Sequence, residues 1–584
     1  MEMKKLIING KEYSVPNNLT LLEACRTVGV YIPTLCWLKD VNEIGACRIC
    51  VVEVKGARSL VAACVYPVSE LREGSEIFTN SPAVIESRKT TLKLILSVHD
   101  RKCLSCVRSG NCELQTLCNE YGIEDEGKFD GTVEKYDIDA SASHMIRNNN
   151  KCILCRRCSA VCSKLQAVAV IGANERGFKT HIGCAFEADL GDVACVSCGQ
   201  CINVCPTGAL TERDDTDKVF AALNDPTKHV IVQTAPSIRV ALGEEFGMPI
   251  GTIVTGKMVA ALKRLGFDGV FDTNFSADLT IMEEGTEFLN RYLKREKLPL
   301  ITSCSPGWIK YCEHYHPDMI PNLSSCKSPQ GMFGAVAKTY YAEKMGIDPK
   351  DIFVVSVMPC TAKKFEAERV DHSAVKGLPD IDAAITTREL ARMIKKCGIM
   401  FNQLPDEEFD KPFGLGSGAG TIFGATGGVM EAALRTAAIK LLGVELPDVE
   451  LKEVRGIEGI KEATYNLAGN ELKVAVAIGL SNAKKLLESV KSGEKSYDFI
   501  EIMACPGGCV NGGGQPIQPA SVRNFVDLRA VRGAALYEDD RQLPVRLSHE
   551  NEDVKAIYDE YFKEPGSHKA HEILHTGYIA RPKY

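Results

Sequence analysis

The feature that most restricts what this chain can fold into is the placement of its cysteines. It has 25 in 584 residues, 18 of them within residues 1–205 and only seven beyond. In a reducing compartment that density reads as metal ligands before it reads as disulfides. The first third therefore looks like metal-carrying modules, and the rest like a large conventional core with a few special thiols. With 45% apolar and 25% charged residues the composition is that of an ordinary folded protein, and the length suggests about three to five domains. No stretch approaches the roughly 18 continuous apolar residues of a membrane helix. A net charge of −7 offers no electrostatic case for nucleic acid or a lipid surface. The opening MEMKKLIINGKEYSV is charged at once and then alternates like a strand, with neither an apolar signal core nor a twin arginine. A cytoplasmic location is the expectation.

Two segments repeat. Lys151–Ser163 and Ala194–Pro206 each carry C-x2-C-x2-C-x3-C, the bacterial ferredoxin run. A cubane needs four thiolates, and each local triplet supplies three while the fourth cysteine crosses to the other cluster. On that rule Cys152, Cys155, Cys158 and Cys205 hold one [4Fe–4S] cluster, and Cys195, Cys198, Cys201 and Cys162 hold the second. Upstream, Cys36-x10-Cys47-x2-Cys50-x13-Cys64 suits a [2Fe–2S] centre, with zinc as the alternative. Then comes His99-x3-Cys103-x2-Cys106-x5-Cys112. Imidazole can complete a cubane that lacks one thiolate, but zinc takes the same donor set, and Cys118 competes with His99 for the fourth place.

Around these motifs, Leu6–Ile8 and Glu12–Val15 flank Asn9-Gly10, a hairpin signal, and Leu19–Val28 has helical spacing. That order is β-grasp-like. From Val219 onward, apolar strand candidates (His229–Thr234, Leu298–Thr302, Ile352–Met358, Val474–Gly479) alternate with amphipathic segments, which predicts mostly parallel sheets. Functional loops then belong at the carboxyl ends of those strands. The tail from Leu543 predicts a wrapping helix. The expected fold is α+β and multidomain: a β-grasp [2Fe–2S] domain at 1–80, a domain with the histidine-plus-three-cysteine motif at 81–140 (a histidine-ligated [4Fe–4S] cluster on the family resemblance given below), a ferredoxin-like double-cluster domain at 141–212, and a large α/β domain at 213–584.

Three stretches of the second half stand out: Thr302-Ser303-Cys304-Ser305-Pro306-Gly307-Trp308; Met358-Pro359-Cys360-Thr361-Ala362-Lys363-Lys364-Phe365-Glu366; and Glu501-Ile502-Met503-Ala504-Cys505-Pro506-Gly507-Gly508-Cys509, running on to Asn511-Gly512-Gly513-Gly514-Gln515-Pro516. Glycines in the third are expected to let the backbone approach a bulky ligand closely. Together the stretches resemble the signature loops of [FeFe]-hydrogenases, and residues 1–210 resemble the cluster-bearing region shared by long members of that family and the large iron–sulfur subunit of respiratory complex I.

The resemblance implies an H-cluster, a [4Fe–4S] cubane joined through one cysteine to a diiron unit with CO, cyanide and azadithiolate. It makes Cys360, Cys505 and Cys509 ligands, with Cys509 the bridge, and has Lys363 donate to a cyanide. Met358 and Met503 would pack beside the diiron unit, and Ala235, Pro236, Ser237, Gln330 and Phe423 would line it. It also implies reversible conversion of H2 to protons and electrons, a [2Fe–2S] cluster and three accessory [4Fe–4S] clusters as a wire, and dependence on H-cluster maturation proteins.

The first stretch departs from the family's usual adjacent cysteines, of which the first relays protons and the second ligates the cubane. Here Ser305 stands at the ligand position, and an alkoxide is a poor substitute for thiolate on this iron. Cys304, Ser305 or Cys326 could supply the missing corner. The family's proton path also points to Glu284 and Glu287, which share one face of the helical pattern Thr280–Leu293, with Ser324 or Ser325 leading to Cys304. The remaining cysteines, Cys25, Cys118, Cys184, Cys312, Cys326 and Cys397, read as core thiols. No G-x-G-x-x-G follows a strand and no Walker A run appears, so NAD(P) chemistry would belong to a flavin-bearing partner subunit. The Cys304-Ser305 variant and the text around it resemble catalytic subunits of NAD(P)-linked, sometimes ferredoxin-bifurcating, hydrogenase complexes more than a stand-alone ferredoxin hydrogenase, which implies ferredoxin and/or flavin- and NAD(P)-binding partner subunits. A cluster-assembly scaffold and an H2 sensor are the rival classes.

Overall fold

The computed structural model describes residues 2–124, 129, 131–442, 450–467 and 470–583. Residues 125–128 and 130 of the expected 81–140 region lie outside them.

The amino-terminal hairpin forms where Asn9-Gly10 demands it. Strands Met3–Ile8 and Lys11–Pro16 pair with Ile8 opposite Lys11, and both turn residues take positive φ, 50° and 83°. The hairpin's first strand also runs parallel to Ser75–Phe78 in a five-stranded mixed sheet. Helix Leu21–Thr27, fixed at its start by a Thr20–Glu23 capping box, packs its leucines into the core of that sheet. The sequence repeat is also a backbone repeat. Arg156 (φ 60°) and Gly199 (φ 67°) occupy equivalent positions of the two C-x2-C-x2-C-x3-C copies, and each precedes a short helix, Arg157–Ala160 and Gln200–Asn203.

The large carboxyl-terminal part contains two sheets. In the first, Gly269–Asp272, His229–Thr234, Ile352–Met358 and Ala383–Thr386 lie side by side, all parallel. In the second, Leu300–Ile301, Phe499–Met503 and Asn470–Ile478 are parallel, and Ile460–Leu467 joins antiparallel at the edge. His229–Thr234, Ile352–Met358 and Phe499–Met503 are almost wholly buried along their length, as expected of sheets covered on both faces, whereas the antiparallel edge strand Ile460–Leu467 alternates half-buried with exposed residues. The long helix Thr273–Lys294 begins at the end of a strand of the first sheet and is buried over most of its first half.

Two expectations change. The tail is not one wrapping helix. Three short helical stretches, Ser548–Glu550, Glu552–Ile557 running directly into Tyr558–Phe562, and His568–Leu574, are separated by non-helical residues. Asn551 caps the second, and Pro565-Gly566 prevents its continuation. Nor are all six spare cysteines core thiols: Cys25, Cys184, Cys312 and Cys326 are buried, Cys118 is half-buried, and Cys397, at the end of helix Thr387–Lys396, is exposed. No helix among the described residues is long and apolar enough to cross a membrane.

Candidate active site

Four parallel strands end at one cavity. His229–Thr234 delivers Ala235 and Pro236, Leu300–Ile301 delivers Cys304 and Ser305, Ile352–Met358 delivers Cys360 and Lys363, and Phe499–Met503 delivers Cys505 and Cys509. Met358, Met503, Gln330 and Phe423 complete its walls. Ser237 is buried just outside, its carbonyl accepting from Gln515 Nε2 at 3.1 Å. The Cys360 and Cys505 thiols hydrogen-bond each other across the cavity, and Ser305 Oγ accepts from the Ala504 amide at 3.3 Å, beside Cys505. Cys304, half-buried at the cavity wall, has its thiol pushed well up by desolvation and then by Glu284 and Glu501. The Cys326 thiol lies elsewhere, 3.8 Å from Glu287 Oε2 and 3.9 Å from His575 Nδ1.

Two glycines of the third loop have a role beyond the one expected. A Cβ on Gly512 would lie 2.2 Å from the Pro359 carbonyl oxygen, and one on Gly513 would lie 2.5 Å from the Cys198 carbonyl oxygen. They admit the second loop and the ferredoxin-like segment, while Gly508 and Gly512 also line the cavity. Cys198 consequently stands on two walls at once, that of this cavity and that of the cavity lined by Cys162, Cys195 and Cys201.

Lys363 is held in a network that the sequence did not reveal. Its Nζ donates to Glu366 Oε2 (2.7 Å), Ser328 Oγ (2.7 Å) and the Cys304 carbonyl (3.3 Å). Glu366 also accepts from Gln330 Nε2 at 2.9 Å, while the Gln330 amide oxygen is buried without a partner. The spacing of Glu366, three residues after Lys363 on one helix, was the available signal. A second missed carboxyl is Glu501, buried in strand Phe499–Met503. It accepts from the Gly427 and Met430 amides at 2.7 Å, and burial pushes it up to about 7. A lone glutamate within an apolar strand could have drawn attention to it.

Glu284 and Glu287 share helix Thr273–Lys294 but not an environment. Glu284 is fully buried, and neither of its oxygens makes a hydrogen bond of ordinary geometry. Burial, reinforced by Glu287, pushes it up to about 8. Glu287 is half-buried. It accepts from Arg291 at 2.5 Å and from Ser324 Oγ at 2.9 Å. Ser325 instead contacts both Glu287 Oε1 (3.1 Å) and His575 Nδ1 (2.8 Å).

Three of the four accessory cysteine sets also converge. Cys36 hydrogen-bonds Cys47, and Cys50 hydrogen-bonds Cys64. One cavity is lined by Cys152, Cys155, Cys158 and Cys205, and another by Cys162, Cys195, Cys198 and Cys201, so each draws its fourth cysteine from the other repeat. His99 has a buried Nδ1 with no partner, and burial pushes the ring down to about 4, leaving a neutral imidazole with an available lone pair. Of its companions, Cys103 is exposed, and Cys106 and Cys112 are half-buried. Among the described residues, the only three or more His, Cys, Asp or Glu side chains with ligand atoms all within 4.8 Å are Glu287, Cys326 and His575. A tetrahedral zinc with Zn–S near 2.3 Å holds its thiolates only about 3.8 Å apart. The two ferredoxin-like cysteine sets are more open than that, which suits [4Fe–4S] clusters, where each thiolate binds a different iron, whereas the close pairs Cys36–Cys47 and Cys50–Cys64 suit a [2Fe–2S] cluster, where two thiolates share each iron. Cys360, Cys505 and Cys509, which line one nearly apolar cavity, offer three thiolate donors of the kind a cubane takes.

Adjacent modules are pinned together at these sites. Asn42 Nδ2 donates to the carbonyls of both Cys36 (2.8 Å) and Cys155 (3.0 Å). Arg108 donates to the Cys205 carbonyl at 3.1 Å, and Thr361 Oγ1 to the Ser197 carbonyl at 2.8 Å.

A thiol-lined cavity at converging strand ends, adjoining cysteine-rich modules, defines the class of iron–sulfur proteins with a buried cluster site. Family matches agree: the C-terminal domain of the iron only hydrogenase large subunit, at 228–513, the iron hydrogenase small subunit, at 526–581, the 2Fe-2S iron-sulfur cluster binding domain at 2–82, the NADH-ubiquinone oxidoreductase-G iron-sulfur binding region at 88–126, and the 4Fe-4S dicluster domain at 151–209. The chain is 48% identical to the NADP-reducing hydrogenase subunit HndD of Solidesulfovibrio fructosivorans over 100% of both chains. It is 47% identical to iron hydrogenase 1 of Clostridium pasteurianum over 99% of this chain and 100% of that one. A solved variant of the [FeFe]-hydrogenase HydA1 from Chlamydomonas reinhardtii matches with TM-score 0.57 and 44% identity, covering 63% of this chain and 100% of that chain. The chain belongs to the [FeFe]-hydrogenase family. It is an iron hydrogenase with accessory iron–sulfur domains, interconverting H2 with protons and electrons.

Proposed function

We propose that this chain is the hydrogen-converting subunit of an NAD(P)-linked assembly, divided as 1–80, 81–140, 141–212 and 213–584, with electrons leaving through its amino-terminal clusters to a flavin-bearing partner. The observation that carries the reading is the position of Cys198 on the walls of both the catalytic cavity and the neighbouring ferredoxin-like cavity. The full-length relative named an NADP-reducing hydrogenase subunit supports the choice of acceptor.

Cys360, Cys505 and Cys509 would hold the H-cluster, with Ser305 at the fourth corner and Cys509 as the bridge. When bound, that group supplies the open iron and the bridgehead amine that together polarise and deprotonate H2. Lys363, held by Glu366 and Ser328, presents a cation to the anionic cyanide side of the site. Met358, Met503, Phe423, Ala235 and Pro236 exclude water. Cys304 passes protons to Glu284, whose raised pKa keeps it able both to take and to release a proton near neutrality. Ser324 and Glu287 continue the route outward. The accessory wire comprises one [2Fe–2S] and three [4Fe–4S] clusters, one of them completed by His99.

The test is H2-dependent reduction of methyl viologen by anaerobically purified protein, before and after installing the diiron unit, followed by NADP+ reduction with a flavin-bearing partner. Dye reduction only after installation, and NADP+ reduction only with the partner, is the expected result. The equally long match to iron hydrogenase 1 favours a second reading, a stand-alone enzyme. Turnover with ferredoxin alone and no NADP+ reduction would establish it. No turnover despite confirmed diiron insertion would overturn both.

A further inference from the structure

We propose that His144 and Gln166 raise the reduction potential of the cluster held by Cys162, Cys195, Cys198 and Cys201, each as an N–H donor to its sulfur, and so ease the departure of electrons from the catalytic cavity. The inference rests on the assignment of a [4Fe–4S] cluster to those four cysteines. Both side chains stand on the wall of the cavity that the cysteines line. His144 Nε2 lies 3.8 Å from Cys195 Sγ. An iron-bound thiolate only accepts, so the ring nitrogen facing it is the one that carries a proton. Gln166 is buried, and neither its amide nitrogen nor its amide oxygen has a partner among the described residues. A carboxamide left in that state is costly unless something in the cavity accepts from it. Val168, Val170, Ile171 and Leu190 make up much of the remaining wall, so the sulfur of a bound cluster is the acceptor within reach.

Backbone bonds hold both donors in place. His144 immediately precedes strand Met145–Asn148, and its carbonyl accepts from the Arg213 amide at 3.2 Å. Gln166 ends the helical turn Val161–Leu165 that carries Cys162, and its own amide donates to the Val161 carbonyl at 3.1 Å. The cations nearby are engaged elsewhere. Arg147 pairs with Asp139 at 2.9 Å and donates to Cys184 Sγ at 3.5 Å, and Lys310 donates to Ser197 Oγ at 3.3 Å. The sister cavity of Cys152, Cys155, Cys158 and Cys205 is built differently. Its Thr207 hydroxyl lies 3.9 Å from Cys205 Sγ but donates to the Lys151 carbonyl at 2.8 Å, and its Asn149 Nδ2 donates to the Ile182 carbonyl at 3.0 Å. Reduction adds one electron, supplied by H2 oxidation, and no atom. The added charge strengthens each N–H bond to sulfur, which favours the reduced state. Cys198 places this cluster against the catalytic cavity, where a higher potential draws electrons outward.

The experiment uses the matured holoenzyme, poised at a series of solution potentials and read by EPR. The signal of this cluster is the one altered by Cys195→Ser. Wild type is compared with His144→Phe, Gln166→Met and their double, and with His144→Gln, which keeps an N–H donor. At a fixed solution potential the ratio of reduced to oxidised cluster should fall about threefold in each donor-free single variant and about tenfold in the double, the latter 59 mV for a one-electron couple. The other accessory midpoints should stay in place, and His144→Gln should lie nearer wild type than His144→Phe. A merely structural role would not move the midpoint of a retained cluster. Unchanged midpoints in both His144→Phe and Gln166→Met overturn the inference, and a shift in only one of them overturns the role of the other residue. Should His144→Phe lose its cluster, the Gln166→Met midpoint decides alone. If Cys195→Ser alters no accessory signal, the cluster assignment itself falls, and the inference with it.

Discussion

The two ends of this molecule gather thiols in opposite ways. In the first third, each set is largely written in one short run: Cys152, Cys155 and Cys158 span two turns of chain and borrow only Cys205 from the matching repeat. In the catalytic part, Cys304, Cys360, Cys505 and Cys509 come from three strand ends separated by up to about two hundred residues. A local run presents its ligands once a loop forms, whereas the catalytic cavity exists only when two sheets are assembled. The difference teaches where damage should spread. A lesion in an accessory motif stays with its own cluster, and a lesion at the converging strand ends removes the chemistry.

The strongest challenge to that contrast is Cys505→Ser or Cys509→Ser. Either variant should reduce H2-dependent dye reduction to background while iron analysis and EPR still find the accessory clusters. Loss of the accessory signals as well would mean the two regions are not independent. Next is Glu284→Gln, which removes a titrating group without changing shape. Activity should fall by roughly a hundredfold or more with the clusters intact, measured by H2 evolution from reduced viologen.

The same residue gives a signed pH effect. Glu284 keeps its proton in the folded protein up to about 8, whereas an unfolded glutamate releases it near 4.3. Between those values the native state binds the extra proton, so this group makes folding less favourable as pH rises. Thermal unfolding should show Glu284→Gln gaining on wild type from pH 5 to pH 8, and a constant difference would contradict the burial assigned to Glu284. A smaller effect is expected of His99→Ala: one accessory EPR signal lost or altered, with dye reduction close to wild type. The smallest comes from Asn42→Ala, which removes two hydrogen bonds between modules. About 1–2 kcal/mol of local stability should go, seen as faster amide exchange around residues 36–50 without loss of either adjacent cluster.

Legibility followed the same division. The accessory ligands could be read because thiol spacing is itself the structural rule, and the hairpin because Asn9-Gly10 admits few turns. The strands His229–Thr234 and Ile352–Met358 have the bounds that their apolar runs suggest, since a fully buried parallel strand is nearly uniform in character. Less was legible where the determining contact is remote. Nothing in the local sequence tells that Gly512 and Gly513 face backbone from other modules, or that Cys326 turns from the cavity toward Glu287. His575 was invisible for the same reason, since its partners are hundreds of residues away in the chain. The tail misled because its amphipathic text is helical on average, while Asn551 and Pro565-Gly566 divide it.

That tail matches a domain described as a hydrogenase small subunit, at residues 526–581. Here it is continuous with the polypeptide that it straps, and its residues 574–576 are backbone-bonded to 325–327. An independent subunit would be lost on dilution below its dissociation constant. A tethered one is held at an effective concentration set by the intervening chain and independent of how much protein is present. The contact beside Glu287 should therefore survive at any enzyme concentration. Its strength can be measured by cleaving the chain just before residue 526 and following retention of the released fragment.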